Sequence, residues 1–469
     1  MSEKTVARRD LEGRRALVMG LGSFGGGLGA VRHLASRGAR VCVTDLRDAA
    51  TLSASLAGLA GLDVELVLGE HRPADFAAAE IVVANPAVRP DDPHLATARR
   101  AGARITTEIE LFLEATRGRV ACVTGTQGKS STCHMLAALL SRTGHRTFLG
   151  GNIGGSLLGE LDRIGESDLV VLEISSYQLE TLSEPRQLGA RVEVVAITNV
   201  LADHLERHGD VAGYARAKGR ILELVAGAGH AIVPGGDGRF APPAGRGVYH
   251  GAEAEDRPRL VLAGGSFVLE RADGGREVLG GAADLALPGP FQRQNALVAL
   301  GAARLLGADP ARLAAAVASL DGLEHRLQDL GLVRGRRVHD NAVSTTPDST
   351  ISALQALAPG VVLLVGGRKK ALPLAELAAV AAARCRHVIA FGEAREALRA
   401  ALGPAGVAVS TTPGVAEAVA EAFRRTGSGD EILFSPACSS FDAYPNFRAR
   451  AEAFRRALAG EGATREAGA

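Results

Sequence analysis

The sequence predicts an α/β protein built from three nucleotide-fold-like blocks. Short apolar runs alternate with longer amphipathic ones, the pattern of parallel sheets with crossover helices. Two apolar runs lead into glycine-rich turns that open helices, ALVMGLGSFGGG from Ala16 and VTGTQGKSST from Val123. The chain has 469 residues, more than one core organises, and domains of roughly 100–200 residues give two to four of them. One block precedes about residue 107, one holds VTGTQGKSST, and one starts near Gly322.

Taken in order, the expected strands are Ala16–Gly20, Arg40–Asp45, Glu80–Asn85, Val120–Gly125, Leu169–Ser175, Val192–Asn199, Val361–Gly367, His387–Gly392 and Glu431–Ala437. Each is a short run of Val, Ile and Leu ending in turn-forming residues. Helical periodicity lies between them, as in His134–Gly144 and Asn295–Gly307. Gly235 to Leu287 is rich in Gly, Pro and charge, which fits either a β-rich excursion or a loop decoration.

Lys and Arg total 53 and Asp and Glu 52, a net charge of +1 without the basic field of a nucleic-acid binder. A 46% hydrophobic and 22% charged composition is that of a soluble globular chain. Cys42, Cys122, Cys133, Cys385 and Cys438 are scattered and form no C-x-x-C pair, so reduced thiols in a cytoplasmic protein are expected rather than disulfides or a zinc site. The apolar run after the polar N-terminus is too short to cross a membrane and lacks a cleavage pattern, so no membrane association is expected.

The first turn, Gly20-x-Gly22-x-x-Gly25, sits between a strand and a helix, and Asp45 ends the next strand roughly twenty residues on. The glycines let the backbone approach a diphosphate, and the helix N-terminus supplies oriented N–H groups. The pattern specifies a diphosphate on a ribose. A nicotinamide or flavin cofactor and a UDP-sugar satisfy it equally.

The second turn, Thr124-Gly125-Thr126-Gln127-Gly128-Lys129-Ser130-Ser131, has the same setting. The usual phosphate loop carries a glycine where Val123 stands, but Val123 belongs to the expected strand and the loop starts at Thr124. Backbone N–H groups can converge on phosphate, Lys129 can reach the β and γ phosphates, and Ser130 can offer a hydroxyl to Mg²⁺.

Seven ordered segments extend this pattern: TGTQGKSS, GGNIGGSLL (Gly150–Leu158), VLEISSYQLE (Val171–Glu180), ITNVLADHLERHG (Ile197–Gly209), YARAKGRI (Tyr214–Ile221), LEHRLQ (Leu323–Gln328) and SPACSSFDAYPNF (Ser435–Phe447). Together they resemble the Mur ligases, ATP-dependent amide-forming enzymes of peptidoglycan precursor synthesis, across essentially the whole chain. SSYQLE and SPACSS point to the glutamate-adding branch.

The resemblance implies a Rossmann-like UDP-binding domain at 1–107, a P-loop-type ATP-binding domain at 108–322 and a Rossmann-like glutamate domain at 323–469, with hinges near 107 and 322. It implies that a carboxylate of UDP-N-acetylmuramoyl-L-alanine takes the γ-phosphoryl group of ATP, after which glutamate attacks the acyl phosphate. ATP binding falls to Gly125, Thr126, Gln127, Gly128, Lys129, Ser130, Ser131 and Asn295, with Arg326 and Asp340 closing from the third domain. The implied cofactor is Mg²⁺ at two sites, held by Ser130, Glu173, His204 and Lys218, the last as a carbamylated lysine. Lys129, Glu173, His204 and Lys218 form the implied catalytic set, and the neighbouring His208 is expected at the surface. UDP-substrate contacts are implied for Gly22, Ser23, Phe24, Asp45, Arg47, Asn152, Ser175 and Ser176, and glutamate contacts for Ser344, Lys370, Ser440 and Phe447. A monomer is expected.

The chain departs from the family in one strip. Where D-S-K-A-T-N is usual it reads Asp340-Asn341-Ala342-Val343-Ser344-Thr345, so the lysine position falls on Ala342. Gln127 stands where asparagine is usual. The altered strip leaves L-glutamate open beside D-glutamate. A nucleotide-binding paralogue without catalysis is the reading from another class.

Overall fold

The computed structural model describes residues 11–22, 25–225, 227–251, 258–370 and 372–461. Its three sheets lie in two compact units, Met1–Asp284 with Asn295–Ala318, and Leu285–Gln294 with Ser319–Ala469.

The first sheet holds β1 (Arg15–Met19), β2 (Arg40–Asp45), β3 (Val64–Leu68), β4 (Ile81–Ala84) and β5 (Arg104–Thr106), all parallel in the order β3-β2-β1-β4-β5. Alternate residues of β1 serve opposite faces. Ala16 and Val18 pack with Ala30, Val31 and Leu34 of the helix Gly26–Ser36, while Leu17 and Met19 pack with Phe76, Leu95 and Ala98. Burial on both faces explains why the strand reads as an unbroken apolar run. The strand order reverses between β1 and β4, the switch point where such sheets bind ligands.

The second sheet holds β6 (Arg119–Thr124), β7 (Thr147–Gly151), β8 (Leu169–Glu173), β9 (Val192–Ile197), β10 (His230–Pro234), β11 (Gly247–His250), β12 (Arg259–Ala263), β13 (Ser266–Glu270) and β14 (Arg276–Gly281). Its order is β14-β13-β12-β11-β10-β9-β6-β8-β7, so β6 has neighbours on both sides. The Gly235–Leu287 segment is therefore β-rich: it extends this sheet and ends in the antiparallel meander β12-β13-β14. The helix Glu108–Ala115 joins the two sheets, and its Ile109 and Phe112 share one buried cluster with Val31 below the first sheet and Val170 and Val195 of the second.

In the second unit β15 (Gln328–Val333), β16 (Arg336–Asp340), β17 (Val361–Gly366), β18 (Cys385–Phe391), β19 (Val409–Thr412) and β20 (Glu431–Ala437) run in the order β15-β16-β20-β17-β18-β19. All pairings are parallel except that of the edge strand β15 with β16. The five cysteines are free thiols, as their spacing predicts. No described helix is long and apolar enough to cross a membrane.

Candidate active site

The first glycine turn forms at the C-terminal end of β1, with Gly20, Gly22 and Gly25 at φ 86°, 71° and 88°. Asn85, just beyond β4, explains the first two glycines. A Cβ on Gly20 would stand 2.8 Å from Asn85 Cβ, and one on Gly22 would stand 3.1 Å from Asn85 Nδ2. Asn85 Nδ2 also donates to Gly20 O at 3.2 Å. The Asp45 carboxylate lies beside the turn, accepting from Gly22 N at 3.3 Å, Arg47 Nε at 3.0 Å and Arg47 Nη2 at 2.8 Å. Burial raises its pKa, but the Arg47 and Gly22 bonds outweigh burial and leave it below the ordinary carboxylate value. Gly22, Asp45 and Arg47, all expected at the UDP-substrate, thus lie together. Ser23 and Phe24 lie outside the described residues. Sequence reasoning did not single out Asn85, because its partners lie 65 residues away.

The second turn leaves β6 at Thr124 and passes through Gly125 (φ 150°) and Gly128 (φ 80°) into the helix Lys129–Arg142. Val123 is a strand residue paired with Glu173 of β8 and Ala196 of β9, so the loop begins at Thr124. Thr198 and Asn199, immediately after β9, clasp it. Thr198 Oγ1 donates to Gln127 O at 2.6 Å, Asn199 Oδ1 accepts from Gln127 N at 3.0 Å, and Asn199 O accepts from Thr126 N at 2.8 Å. These bonds shape the loop and leave anion binding to the helix N-terminus that Lys129 opens. Lys129 Nζ donates to Gly125 O and Thr126 O, each at 2.9 Å. Ser130 and Ser131 are buried in the first helical turn. Asn295 packs on the loop so closely that a Cβ on Gly128 would meet its Oδ1 at 2.2 Å. Gln127 Nε2 is buried without a hydrogen-bond partner.

Glu173 is the last residue of β8, and only 2% of it is exposed. Asn152 Nδ2 donates to its Oε1 at 2.7 Å, and Asn152 N donates to its backbone oxygen at 2.8 Å. Asn152, expected at the UDP-substrate, is thus bound to this carboxylate. Glu173 Oε2 is buried and has no hydrogen-bond partner. A carboxylate oxygen left in that state beside a Lys-Ser phosphate loop fits a hard cation, and Mg²⁺ takes one or two carboxylates with phosphate oxygens and water for the rest. Among the described residues no three His, Cys, Asp or Glu side chains gather closely enough to hold a metal by themselves.

Lys218 is 1% exposed on the helix Val211–Gly219. Its Nζ donates to Gly125 O at 2.6 Å and lies 4.5 Å from the centre of the Tyr214 ring. Lys129 and Lys218 therefore share one carbonyl. Burial first, and the Lys129 charge second, push the Lys218 pKa well below its ordinary value. His204 adopts φ 52°, opens the short helix Leu205–His208, and has Nδ1 3.3 Å from the Tyr177 hydroxyl. His208, expected at the surface, has a side chain only 2% exposed, with Nε2 3.1 Å from Ser176 Oγ and its ring against Tyr177 and Tyr214. The short helix turns it inward, which its polar sequence context did not show. Ser175 caps the helix Ser176–Thr181, donated to by Gln178 N at 3.2 Å.

In the second unit, His325 (φ 63°) and Leu327 (φ 49°) hold the segment around Arg326 in a left-handed turn. Asp340 is fully buried. Its Oδ1 accepts from Ala342 N at 3.0 Å, and its Oδ2 contacts His325 Nδ1 at 2.7 Å and Arg455 Nε at 3.2 Å. The carboxylate thus orders the turn next to Arg326, and Arg455 is a partner the sequence did not reveal. Ser344 is buried with its hydroxyl 2.8 Å from Thr350 Oγ1, and Ser440 is also buried. Lys370 follows β17, and Phe447 opens the helix Phe447–Gly460 with its ring edge-on to His325. Ser344, Lys370 and Ser440 follow β16, β17 and β20, three strands adjacent in the sheet.

Three family models match the chain: the MurD-like N-terminal domain over residues 14–107, the Mur ligase middle domain over 123–303, and the Mur ligase glutamate ligase domain over 325–438. The chain is 37% identical to the UDP-N-acetylmuramoylalanine–D-glutamate ligase of Geobacter metallireducens, over 96% of this chain and 98% of that one. It is 37% identical to the enzyme of the same name from a Roseiflexus species, over 95% and 98%. Among solved structures, the UDP-N-acetylmuramate-alanine ligase of Thermotoga maritima superimposes with a TM-score of 0.61 at 18% identity, covering 95% of this chain and 99% of that one, a likeness of fold. The chain belongs to the Mur ligase family, on its MurD-like branch.

Proposed function

We propose that this chain is the ATP-dependent ligase that joins D-glutamate to UDP-N-acetylmuramoyl-L-alanine in peptidoglycan precursor synthesis, acting in the cytoplasm as a monomer. Beyond family membership, one observation carries the reading. The buried Glu173 carboxylate has an oxygen without a hydrogen-bond partner, and its strand position pairs with Val123 at the root of the phosphate loop. Burying that oxygen is costly unless a cation takes it up beside the phosphate loop, where a phosphoryl group would be transferred.

The alanyl carboxylate attacks the γ-phosphorus of ATP, the bond to the bridging oxygen breaks, and ADP departs from an acyl phosphate. The glutamate amine then attacks the acyl carbon, inorganic phosphate leaves, and the nitrogen loses its surplus proton. Positioning and charge neutralisation do most of the work in such a transfer. Gly125–Ser131 and Asn295 hold the nucleotide, with Arg326 and Asp340 contributed by the third domain. Gly22, Ser23, Phe24, Asp45 and Arg47 bind the UDP portion, and Asn152, Ser175 and Ser176 lie toward the same substrate. Ser344, Lys370, Ser440 and Phe447 receive glutamate. Two magnesium sites are assigned, Ser130 with Glu173 and His204 with Lys218. Magnesium, when bound, neutralises charge on the transferred phosphoryl group. Lys218 serves there as a carbamate: the ammonium first loses a proton, and the neutral buried amine then adds CO₂ and releases a second, leaving an anionic carboxylate-like group. Domain hinges fall near residues 107 and 322.

The test is phosphate release with ATP, UDP-N-acetylmuramoyl-L-alanine and each glutamate enantiomer. Release with D-glutamate is expected. Release with the L-isomer alone would reassign the substrate, and no release with either would leave a nucleotide-binding paralogue. Intact mass of gently prepared protein should show one added CO₂, lost in Lys218→Ala.

A further inference from the structure

Arg450, on the helix Phe447–Gly460, is fully buried and has no carboxylate within ion-pairing distance among the described residues. Its guanidinium instead spends its bonds on three backbone carbonyls. Nη1 donates to Cys438 O at 2.9 Å and to Gly366 O at 3.3 Å, and Nη2 donates to Ala342 O at 3.2 Å. Nε is buried without a partner. The three carbonyls lie at or just past the C-terminal ends of β20, β17 and β16, neighbours in the sheet. Each precedes one residue assigned to glutamate: Ala342 comes before Ser344, Gly366 before Lys370, and Cys438 before Ser440. Arg450 itself stands one helical turn after Phe447, the fourth. Gly367, at φ 128°, lies between these groups: a Cβ there would collide first with the Ser439 backbone oxygen and would also stand 2.9 Å from Arg450 Nη1.

A buried cation without a hydrogen-bonded counter-ion is costly, and Asp442 offsets that cost only through space. Burial lowers the Arg450 pKa to about 10, so the group stays charged at neutral pH. Its charge stands directly beneath the three loops, and an acidic ligand there would offset the cost.

We propose that Arg450 is the positioning residue of the glutamate site, locking the three strand ends that present Ser344, Lys370 and Ser440 and biasing that site toward a side-chain carboxylate. The inference rests on the glutamate contacts assigned above. Two roles are combined in one side chain, geometry from the donor fork and selectivity from the charge, and two substitutions separate them. Arg450→Lys keeps the charge but loses the fork. Arg450→Gln keeps donor capacity but loses the charge.

In the full-length enzyme, Arg450→Lys is expected to raise the KM for glutamate on the order of 10-fold, with the KM values for ATP and the UDP-substrate unchanged. Arg450→Gln is expected to raise it on the order of 100-fold and to cut the preference for glutamate over glutamine on the order of 10-fold, a preference that Arg450→Lys retains. KM values rising together for all three substrates would mean a scaffold role only and overturn the proposal, as would an unchanged preference in Arg450→Gln. If thermal melting shows that Arg450→Gln does not fold, Arg450→Lys decides: a selective rise in the glutamate KM supports the proposal, and no rise or a uniform one overturns it. A wild-type enzyme inactive with glutamate overturns the assigned function as well. An active wild type with unchanged variants overturns this inference alone.

Discussion

Asn152 shows how one amide can decide what a neighbouring carboxylate does. It fixes Glu173 through Oε1 and through the backbone, so Oε2 is the oxygen left over. Partners that orient a metal ligand are worth roughly 10–100-fold in metal affinity. Asn152→Ala should therefore weaken Mn²⁺ binding by about that factor, read by electron paramagnetic resonance titration, with the melting temperature little changed. Unaltered Mn²⁺ affinity would remove Glu173 from the metal site. Asp45 gives a pH prediction. Burial acts to raise its pKa, but the Arg47 and Gly22 bonds prevail and the folded value lies below 3.8. A depressed carboxylate contributes stability that is present above its unfolded pKa and lost as pH falls through the folded one. Asp45→Asn should thus lower stability at neutral pH and flatten the loss of stability below about pH 4. Urea unfolding across that range checks it, and parallel pH profiles for the two proteins would refute it.

At the scale of elements, the segment carrying His204 needs an anchor. The helix Leu205–His208 has four residues, too few to persist alone, and left-handed residues flank it at His204 and Gly209. Arg207 supplies the anchor. Its Nε donates to Glu180 Oε2 at 2.7 Å, Nη1 to Ala87 O at 3.0 Å and Nη2 to Val88 O at 3.0 Å, while the guanidinium lies 4.8 Å from the centre of the Tyr177 ring. Ala87 and Val88 follow Asn85, the residue that shapes the first glycine turn. One side chain thus joins the turn beside β4 to the segment that carries His204, proposed above as a metal ligand. Arg207→Ala should cost about 2 kcal/mol, from charge-assisted bonds worth about 1.5–3 kcal/mol each less what water restores. Arg207→Lys should recover only part of this, because its ammonium cannot span Glu180 and two carbonyls at once. A loss below about 0.5 kcal/mol in urea unfolding would show that the anchor lies elsewhere.

Across the whole molecule, what the sequence disclosed and what it hid follow from the range of each interaction. The glycine turns, Lys129 and Ser130 were legible because strand, turn and helix start occupy a dozen consecutive residues whose conformations local chemistry dictates. Glu173, His204 and Lys218 were singled out only through resemblance, since nothing local separates them from ordinary surface charges. Asn85, Thr198, Asn199, Arg207 and Arg450 were not legible, because each has partners many tens of residues away and a polar residue's pattern does not record which carbonyl it will meet. His208 was misread for the same reason. The assigned roles also divide the chain, and that division can be measured. Asp45 belongs to the first sheet and Arg326 to the second compact unit. Asp45→Asn should weaken binding of UDP-N-acetylmuramoyl-L-alanine by roughly 10-fold, the loss of one charge-assisted contact, while saturating substrate restores kcat. Arg326→Ala should leave that affinity intact and lower kcat by about 100-fold or more, as expected when a cation that stabilises a transferring phosphoryl group is removed. Calorimetric titration of the UDP-substrate beside single-turnover phosphate release separates the two. If Arg326→Ala weakens substrate binding as much as Asp45→Asn does, Arg326 acts on the ground state and its assignment to phosphoryl transfer is wrong.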